Sequence, residues 1–208
     1  LGKVYLTLNN FPEAEIKLKE VTTMGYALLP KYTDLFDYSK DEHHSEYIFD
    51  IEYEQGQSGE GSTFTTNFCP KNPDIATFYG VTGGQNGANN APRSLFNLFE
   101  TGDQRKEITA ADGYTDNNGV FHPLIPTSND VSTFTKKYMT RLLASNDSRA
   151  NWKVIRYADV LLMLAEALNE NGKTDEALGY LNLVHKRAGL TEYSALSQTE
   201  TREKISLR

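Results

Sequence analysis

One spacing of small residues occurs twice in the chain, once near each end. Two triplets share gaps of twelve and then seven positions: Gly2, Ala14 and Val21, and Ala165, Ala177 and Val184. Small side chains at the first two positions let two antiparallel helices approach closely, and the third position packs an aliphatic side chain behind them. The spacing therefore predicts a helix hairpin at each end of the chain.

Turn and capping residues support both hairpins. In the first, the Asn9-Asn10 pair predicts the turn, and Pro12 suits the opening of the second helix. In the second, Gly172 is a helix stop, and Thr174 is predicted to cap the helix that follows. Together with the repeated spacing, these signals are typical of tetratricopeptide-type helix pairs.

The two hairpins are separated by more than one hundred residues, so they do not form a tandem array. The stretch between them opens with a predicted strand over 46–54, where apolar and polar residues alternate. Residues 80–92 have the glycine and asparagine content of a loop, and residues 116–119 predict a hairpin turn. Loops of this length inside a compact domain are usually functional or disordered.

These signals predict a mainly α fold, in which helix pairs carry a long irregular insertion with short strands. We expect one domain with four parts: a helix pair over 1–25, a loop-rich insertion over 26–150, a second helix pair over 151–190, and the start of a further helix over 191–208. Leu1 is not preceded by a Met, and Arg208 lies within a polar helical pattern. We therefore expect both ends to be cuts in a longer chain.

The helix before the second turn is predicted to run from Trp152 to about residue 169 and to be buried over most of its circumference. We expect Trp152 to pack against the insertion as a core residue. Arg156, Asp159 and Glu166 share one stripe of this helix, which favours a structural ion-pair network over catalysis.

The formal net charge is −7, and no cluster of lysine and arginine forms the basic stripe that binding to phosphates requires. Nucleic acid is therefore disfavoured as a partner. Cys69 is the only cysteine, which excludes an internal disulfide and a cysteine-based metal site. No apolar run is long enough to cross a bilayer.

The glycine- and asparagine-rich middle of the chain contains the residue types of a sugar-binding site. A sugar has an apolar face and a rim of hydroxyls, so its sites combine aromatic rings with amide, carboxylate or guanidinium groups. The candidate glycan-binding residues are Phe78, Tyr79, Gln85, Asn86, Asn89, Asn90, Arg93 and Tyr114. The competing interpretation is a solvated turn with Phe78 buried beneath it.

Other polar groups have simpler interpretations. Asp50, Glu52 and Glu54 alternate on one strand face, but alternation along a half-exposed strand produces that pattern without catalysis. Adjacent residues such as His43 and His44 diverge, so they seldom bind one metal ion together. We expect no catalytic residue, no metal and no cofactor. Asp103 and Arg105 are interpreted as a loop anchor.

Residues 151–190, NWKVIRYADVLLMLAEALNENGKTDEALGYLNLVHKRAGL, resemble the hallmark segment of the SusD/RagB family. The most specific part runs from Arg156 to Ala167. Further blocks occur in the family's order along most of the chain: LGKVYL, LLPKYTDLF, SEYIFDIEY, FETGDQR and KKY. The chain departs from the best-known starch binder of the family in having no tryptophan in the loop region.

The resemblance implies a non-enzymatic lipoprotein on the outer membrane of a Gram-negative glycan degrader. Such a protein binds oligosaccharides at the cell surface and passes them to a TonB-dependent, SusC-like transporter. Its lipid anchor would lie in an N-terminal segment that is not in this chain. In the family, ligand contacts tend to come from loops after the strand that residues 47–53 resemble.

Two other classes of function remain as alternatives. A tetratricopeptide adaptor would bind a protein partner through a concave groove, but it would carry tandem repeats about 34 residues apart. A glycoside hydrolase would need a paired acid and nucleophile, and the sequence shows no such pair in a motif context.

Overall fold

The computed structural model describes residues 1–39, 43–56, 59–124 and 133–206. The chain forms two compact units. The first comprises Leu1–Lys31, Glu42–Asp50 and Lys153–Arg208, and the second comprises Tyr32–Asp41 and Ile51–Trp152. Both predicted helix hairpins therefore belong to the first unit, and most of the intervening sequence forms the second.

The fold is mainly α-helical with a few short strands, which confirms the predicted class. In chain order the elements are α1 (Gly2–Thr7), α2 (Phe11–Thr22), a 3-10 helix (Tyr32–Phe36), β1 (Tyr47–Ile51), α3 (Phe64–Phe68), α4 (Pro73–Tyr79), α5 (Arg93–Leu98), α6 (Lys106–Thr109), β2 (Gly113–Thr115), β3 (Phe121–Pro123), β4 (Trp152–Arg156), α7 (Tyr157–Glu170), α8 (Thr174–Arg187) and α9 (Gln198–Ser206). Strand β1 pairs with β4, and β2 pairs with β3.

The first hairpin is formed by α1 and α2, as predicted. Gly2 is buried, and a Cβ atom placed there would lie 2.7 Å from Leu18 Cγ, so only glycine permits this approach. Ala14 is fully buried at the contact. At the turn, Asn10 Oδ1 accepts a hydrogen bond from Glu13 N at 3.4 Å and caps α2, whose first turn contains Pro12.

The second hairpin is formed by α7 and α8, and its predicted contact positions are also confirmed. Ala165 and Ala177 are fully buried, and Val184 is nearly so. The core of the first unit is apolar and helical: Leu6, Ala14, Leu18, Val160, Met163, Leu164, Ala165, Ala167, Leu168, Ala177, Leu178, Leu181 and Ile205. The repeated spacing thus located the helix contacts correctly in both hairpins.

Two predicted boundaries are wrong. Residues 152–156 form strand β4, and α7 begins only at Tyr157. Val154 and Ile155 are β-branched and suit a strand, and pairing with β1 decides the outcome. Thr174 is the first residue of α8 rather than its cap, since Lys173 holds the cap position, and the Thr174 hydroxyl donates to Asn169 Oδ1 at 3.1 Å.

A buried carboxylate holds two arginines in the first unit. The side chain of Glu46 is fully buried, and it accepts hydrogen bonds from Arg156 Nη1 at 2.8 Å and Arg187 Nη1 at 2.6 Å. The backbone N–H of Leu29 also donates to it, at 2.8 Å. The predicted structural role of Arg156 is confirmed, but its partner comes from another part of the unit rather than from α7.

The predicted strand over 46–54 is confirmed in part, since β1 covers only Tyr47–Ile51. The predicted hairpin is confirmed, with β2 and β3 antiparallel and Tyr114 paired with His122. Residues 80–92 contain no helix or strand, as expected of a loop.

The second unit has a smaller apolar core and many buried hydroxyls. Its core residues are Cys69, Ile75, Ala76, Tyr79, Val81, Ala111, Leu124, Phe134, Met139 and Leu142. Beside them, buried Thr65 Oγ1 lies 2.9 Å from Tyr138 O, 2.8 Å from Ser148 Oγ and 3.2 Å from Thr140 Oγ1. These bonds join segments about eighty positions apart in the sequence.

Across the described ranges, every helix is too short or too polar to span a bilayer. The same residues contain no group of three histidine, cysteine or acidic side chains that could hold a metal ion.

Candidate functional site

The predicted ligand loop, residues 80–92, follows α4 in the second unit. Asn72 Oδ1 caps α4 by accepting hydrogen bonds from Asp74 N at 3.1 Å and Ile75 N at 3.0 Å. The helix ends at Gly80, whose φ of 71° is left-handed and whose Cβ position lies 2.7 Å from Leu142 O. Only glycine therefore fits where the loop leaves the helix.

Backbone hydrogen bonds hold this loop against α3. Gly87 N donates to Cys69 O at 3.0 Å, and Ala88 N donates to Asn67 O at 2.8 Å. Burial raises the pKa of the Cys69 thiol to about 12, so that group serves packing rather than chemistry. The loop backbone is thus positioned by α3 and the residue that follows it.

An open cleft of about 670 Å³ lies between α3, the first part of the loop and residues 145–146. It is lined by Thr63, Thr66, Asn67, Thr82, Gly83, Gly84, Asn86, Ser145 and Asn146. These side chains offer hydroxyl and amide groups, which both donate and accept hydrogen bonds. The arrangement can bind a polar ligand, and the lining offers no nucleophile with an activating base.

Asn86 is the predicted site residue that lies on this cleft. Its Nδ2 donates to Asn67 Oδ1 at 2.8 Å, and Asn67 Nδ2 donates in turn to Thr63 Oγ1 at 2.9 Å. Asn86 is exposed. Thr66 is buried, and the Thr66 hydroxyl has no hydrogen-bond partner among the described residues. The amide pair therefore forms an ordered polar edge at the mouth of the cleft.

Three of the predicted aromatic residues contact one another. The Phe78 ring centroid lies 4.4 Å from that of Tyr114 and 4.9 Å from that of Tyr79. The Arg141 guanidinium lies 4.3 Å from the Phe78 centroid in a cation–π contact. Tyr79 is buried in the core, and that burial raises the pKa of its hydroxyl. Phe78 and Tyr114 are half-buried.

The β2–β3 hairpin extends this aromatic group. The His122 ring stacks on Tyr114 with centroids 4.9 Å apart, and His122 Nε2 lies 3.0 Å from Asp116 Oδ2. The hydrogen bond from His122 lowers the pKa of Asp116, with backbone donors adding to the effect. The hairpin thus carries a ring, an imidazole and a carboxylate side by side.

The other predicted residues lie apart from these contacts. Arg93 packs its guanidinium 4.4 Å from the centroid of Phe96, over which Lys106 also lies at 3.7 Å. Asn89 is exposed with a φ of 55°, so its backbone is in the left-handed region. Gln85 and Asn90 are half-buried. The described contacts thus bring together Phe78, Tyr79 and Tyr114.

Sequence reasoning missed most of the cleft and misjudged one tryptophan. Trp152 packs against Tyr138, with centroids 5.2 Å apart, and against Phe64 at 5.5 Å, so its predicted contact with the insertion is confirmed. Its predicted burial is wrong, because 37% of the residue is exposed. The run Thr63 to Asn67 gave a usable signal, since it places hydroxyl and amide groups one helical turn apart.

The predicted loop anchor is confirmed. Arg105 binds Asp103 through Nε and Nη2, at 2.9 and 2.7 Å from the two carboxylate oxygens. Asp103 Oδ1 also accepts a hydrogen bond from Arg105 N at 2.9 Å, and the Asp103 side chain is almost fully buried. The pair therefore fixes the turn before α6.

Comparison with known proteins finds similarity to one family. The SusD family model, SusD_RagB, matches residues 124–206. SusD-like protein P2 of Formosa agariphila is 29% identical over 209 aligned positions, which cover 91% of this chain and 40% of that protein. The chain is thus similar to proteins of the SusD family. The match to SusD-like protein P2 extends well beyond residues 151–190.

Solved SusD-type structures share the fold over the whole chain. Surface glycan-binding protein A from Bacteroides thetaiotaomicron has a TM-score of 0.74 and 23% identity, covering 99% of this chain and 50% of that one. A laminarin-binding SusD-like protein has a TM-score of 0.74 and 25% identity, covering 100% of this chain and 50% of that one. The chain thus spans about half the length of the structures it matches.

Proposed function

We propose that this protein captures oligosaccharides at the cell surface without cleaving them and passes them to a TonB-dependent, SusC-like transporter. A lipid anchor on an N-terminal segment would hold the protein at the outer membrane. One observation carries the proposal: surface glycan-binding protein A, which has the same fold, was solved in complex with laminarihexaose.

The chemistry of the second unit supports this function. The cleft beside α3 presents hydroxyl and amide groups, and Phe78 and Tyr114 supply partly exposed aromatic rings. Sugars are bound by this combination, because amides bridge neighbouring hydroxyls while rings cover the apolar face. We propose that Asn86 and the aromatic group contact ligand, with Gln85, Asn89, Asn90 and Arg93 as further candidates.

Capture without cleavage agrees with the character of the cleft. Hydrolysis of a glycosidic bond uses a pair of carboxyl groups on either side of that bond. None of the described residues that line the cleft is acidic. The carboxylates predicted on one strand face, among them Glu52 and Glu54, are not among those residues.

Affinity electrophoresis and calorimetry of the purified protein against a glycan panel test the proposal. We expect binding to at least one polysaccharide, with no new reducing ends after incubation. Asn86→Ala should weaken that binding about threefold to tenfold, because it removes the exposed end of the amide pair. Tyr79 is unsuitable as a first variant, because it lies in the core.

Asn97→Ala is the matched control, since Asn97 is an exposed amide on α5 outside the cleft residues. It should bind like the unaltered protein. Absence of binding to every glycan in the panel would refute capture, and release of oligosaccharide products would refute a purely binding role.

A further inference from the structure

We infer that the cleft beside α3 takes an uncharged stretch of saccharide, recognised through its hydroxyls, rather than a uronic acid or a sulfated sugar. This inference rests on the proposed capture function and specifies the chemical class of its ligand. It concerns the cleft defined above, of which sequence reasoning had found only Asn86.

The lining of the cleft carries no charge. All nine described lining residues are threonine, asparagine, serine or glycine. Sites for carboxylate or sulfate groups use arginine or lysine, because charge-assisted hydrogen bonds offset the cost of taking an anion out of water. A net charge of −7 on the chain adds a general repulsion of anions. The cleft therefore lacks the groups that would favour an acidic sugar.

Three cations of the second unit lie over aromatic rings instead. Arg141 lies over the Phe78 ring, and Arg93 and Lys106 lie over the Phe96 ring. These three side chains are not among the residues that line the cleft. A ligand in the cleft thus meets amide and hydroxyl groups rather than guanidinium or ammonium groups.

The orientation of the amide pair favours an alcohol over an anion. Asn86 Nδ2 donates to Asn67 Oδ1, and Asn67 Nδ2 donates to Thr63 Oγ1. These bonds direct the Asn86 carbonyl oxygen and the Thr63 hydroxyl hydrogen to other partners. A sugar hydroxyl can donate to the first and accept from the second, whereas a carboxylate or sulfate only accepts. The Asn86 oxygen would repel an anion at close range.

Calorimetry with neutral and acidic polysaccharides tests the inference. The neutral arm uses laminarin, mannan and starch, and the acidic arm uses alginate and carrageenan, each at about 20 and about 300 mM salt. We expect measurable binding only in the neutral arm. The affinity there should change by less than about twofold between the two salt concentrations, because no ion pair is screened.

Asn86→Asp is the informative variant, because it keeps the shape of the side chain and places a carboxylate on the cleft. It should weaken binding of the neutral glycan about threefold to tenfold, because a carboxylate cannot donate to Asn67 Oδ1 and the amide pair that forms the polar edge of the cleft is broken. Asn97→Asp adds the same charge on α5 and should leave binding unchanged.

The outcomes separate this inference from the capture proposal. Tightest binding to an acidic glycan, with a strong loss at high salt, would overturn the inference and leave capture intact. If the affinity for the neutral glycan were the same in the Asn86→Asp variant, the ligand would lie outside this cleft, and the inference would be overturned as well. No binding in either arm would refute capture itself.

Discussion

The two units of this protein bury different types of side chain. In the first, helix contacts are made by alanine, leucine and valine at regular positions, and a single carboxylate, Glu46, joins two arginines. In the second, hydroxyls such as Thr65, Thr140 and Ser148 bond one another and the backbone around a smaller apolar core. The helices of the first unit leave a pocket of about 240 Å³ lined by Glu166, Glu170, Arg202, Ile205 and Ser206, whereas the loops of the second unit border the larger cleft beside α3.

The largest effect is expected when the buried ion pairs of Glu46 with Arg156 and Arg187 are broken. Glu46→Gln keeps the size of the side chain but leaves Arg156 and Arg187 without their shared negative charge. We expect a loss of about 3–5 kcal/mol in the free energy of unfolding, because removing one member of a buried ion pair leaves an uncompensated charge. Chemical denaturation followed by circular dichroism measures this loss.

Glu52→Gln makes the same chemical change at an exposed position and should cost less than about 0.5 kcal/mol. Equal stability of the two variants would show that Glu46 is not required to hold the first unit together.

The next effect concerns the hydroxyl network of the second unit. Thr65→Val keeps the shape of the side chain but removes the oxygen that bonds Thr140 N, at 3.1 Å, and lies next to Ser148 Oγ. We expect a loss of about 1–3 kcal/mol, since buried groups are left unsatisfied. Amide hydrogen exchange should show faster opening around residues 62–68 and 139–150, with α7 and α8 still protected.

Thr101→Val is the control, because Thr101 is exposed in a turn of the same unit. Faster exchange spread evenly over both units would contradict the separation of the two cores.

A smaller, pH-dependent contribution to stability is expected from Glu15 in the first unit. Burial raises the pKa of Glu15, but hydrogen bonds from Lys173, Lys19 and Asn171 outweigh it and lower the value from 4.5 to about 2. Because the folded pKa is depressed, the stabilisation is present above pH 4.5 and is lost as the pH falls towards 2.

We expect about 1 kcal/mol from this group, since both lysines are partly exposed to solvent. Glu15→Gln should flatten the dependence of the unfolding free energy on pH in that window. An unchanged slope would mean that Glu15 titrates alike in the folded and unfolded chain.

Much of the first unit could be predicted from the sequence, because its contacts repeat at fixed spacings. Gly2 and Ala165 mark helix contacts through their size alone, and Gly172 marks a helix end through its φ of 75°. The start of α7 could not be predicted in this way. Residues 152–156 become a strand because β1 pairs with them, and that partner lies about one hundred positions away.

The cleft was far less predictable than the helices. Its residues come from three separate segments, around 63–67, 82–86 and 145–146, and only the first of these lies on a helix. Composition identified the middle segment, including Asn86, because asparagine and glycine are concentrated there. Tertiary hydrogen bonds bring the segments together, such as Ala88 N to Asn67 O at 2.8 Å and Ser62 N to Ser148 O at 2.8 Å, and no local pattern shows them.

The smallest expected effect comes from replacing glycine by alanine, and the change in the free energy of unfolding should have opposite signs at two positions. Gly179 lies exposed within α8, and a Cβ atom there would meet nothing within 4 Å. Gly179→Ala should stabilise the protein by about 0.5–1 kcal/mol, because glycine loses more backbone entropy in a helix. Gly80→Ala should instead destabilise it, since φ is 71° and the new methyl would lie 2.7 Å from Leu142 O. Denaturation midpoints that shift the same way in both variants would contradict the assignment of Gly80, and not Gly179, as a position that requires glycine.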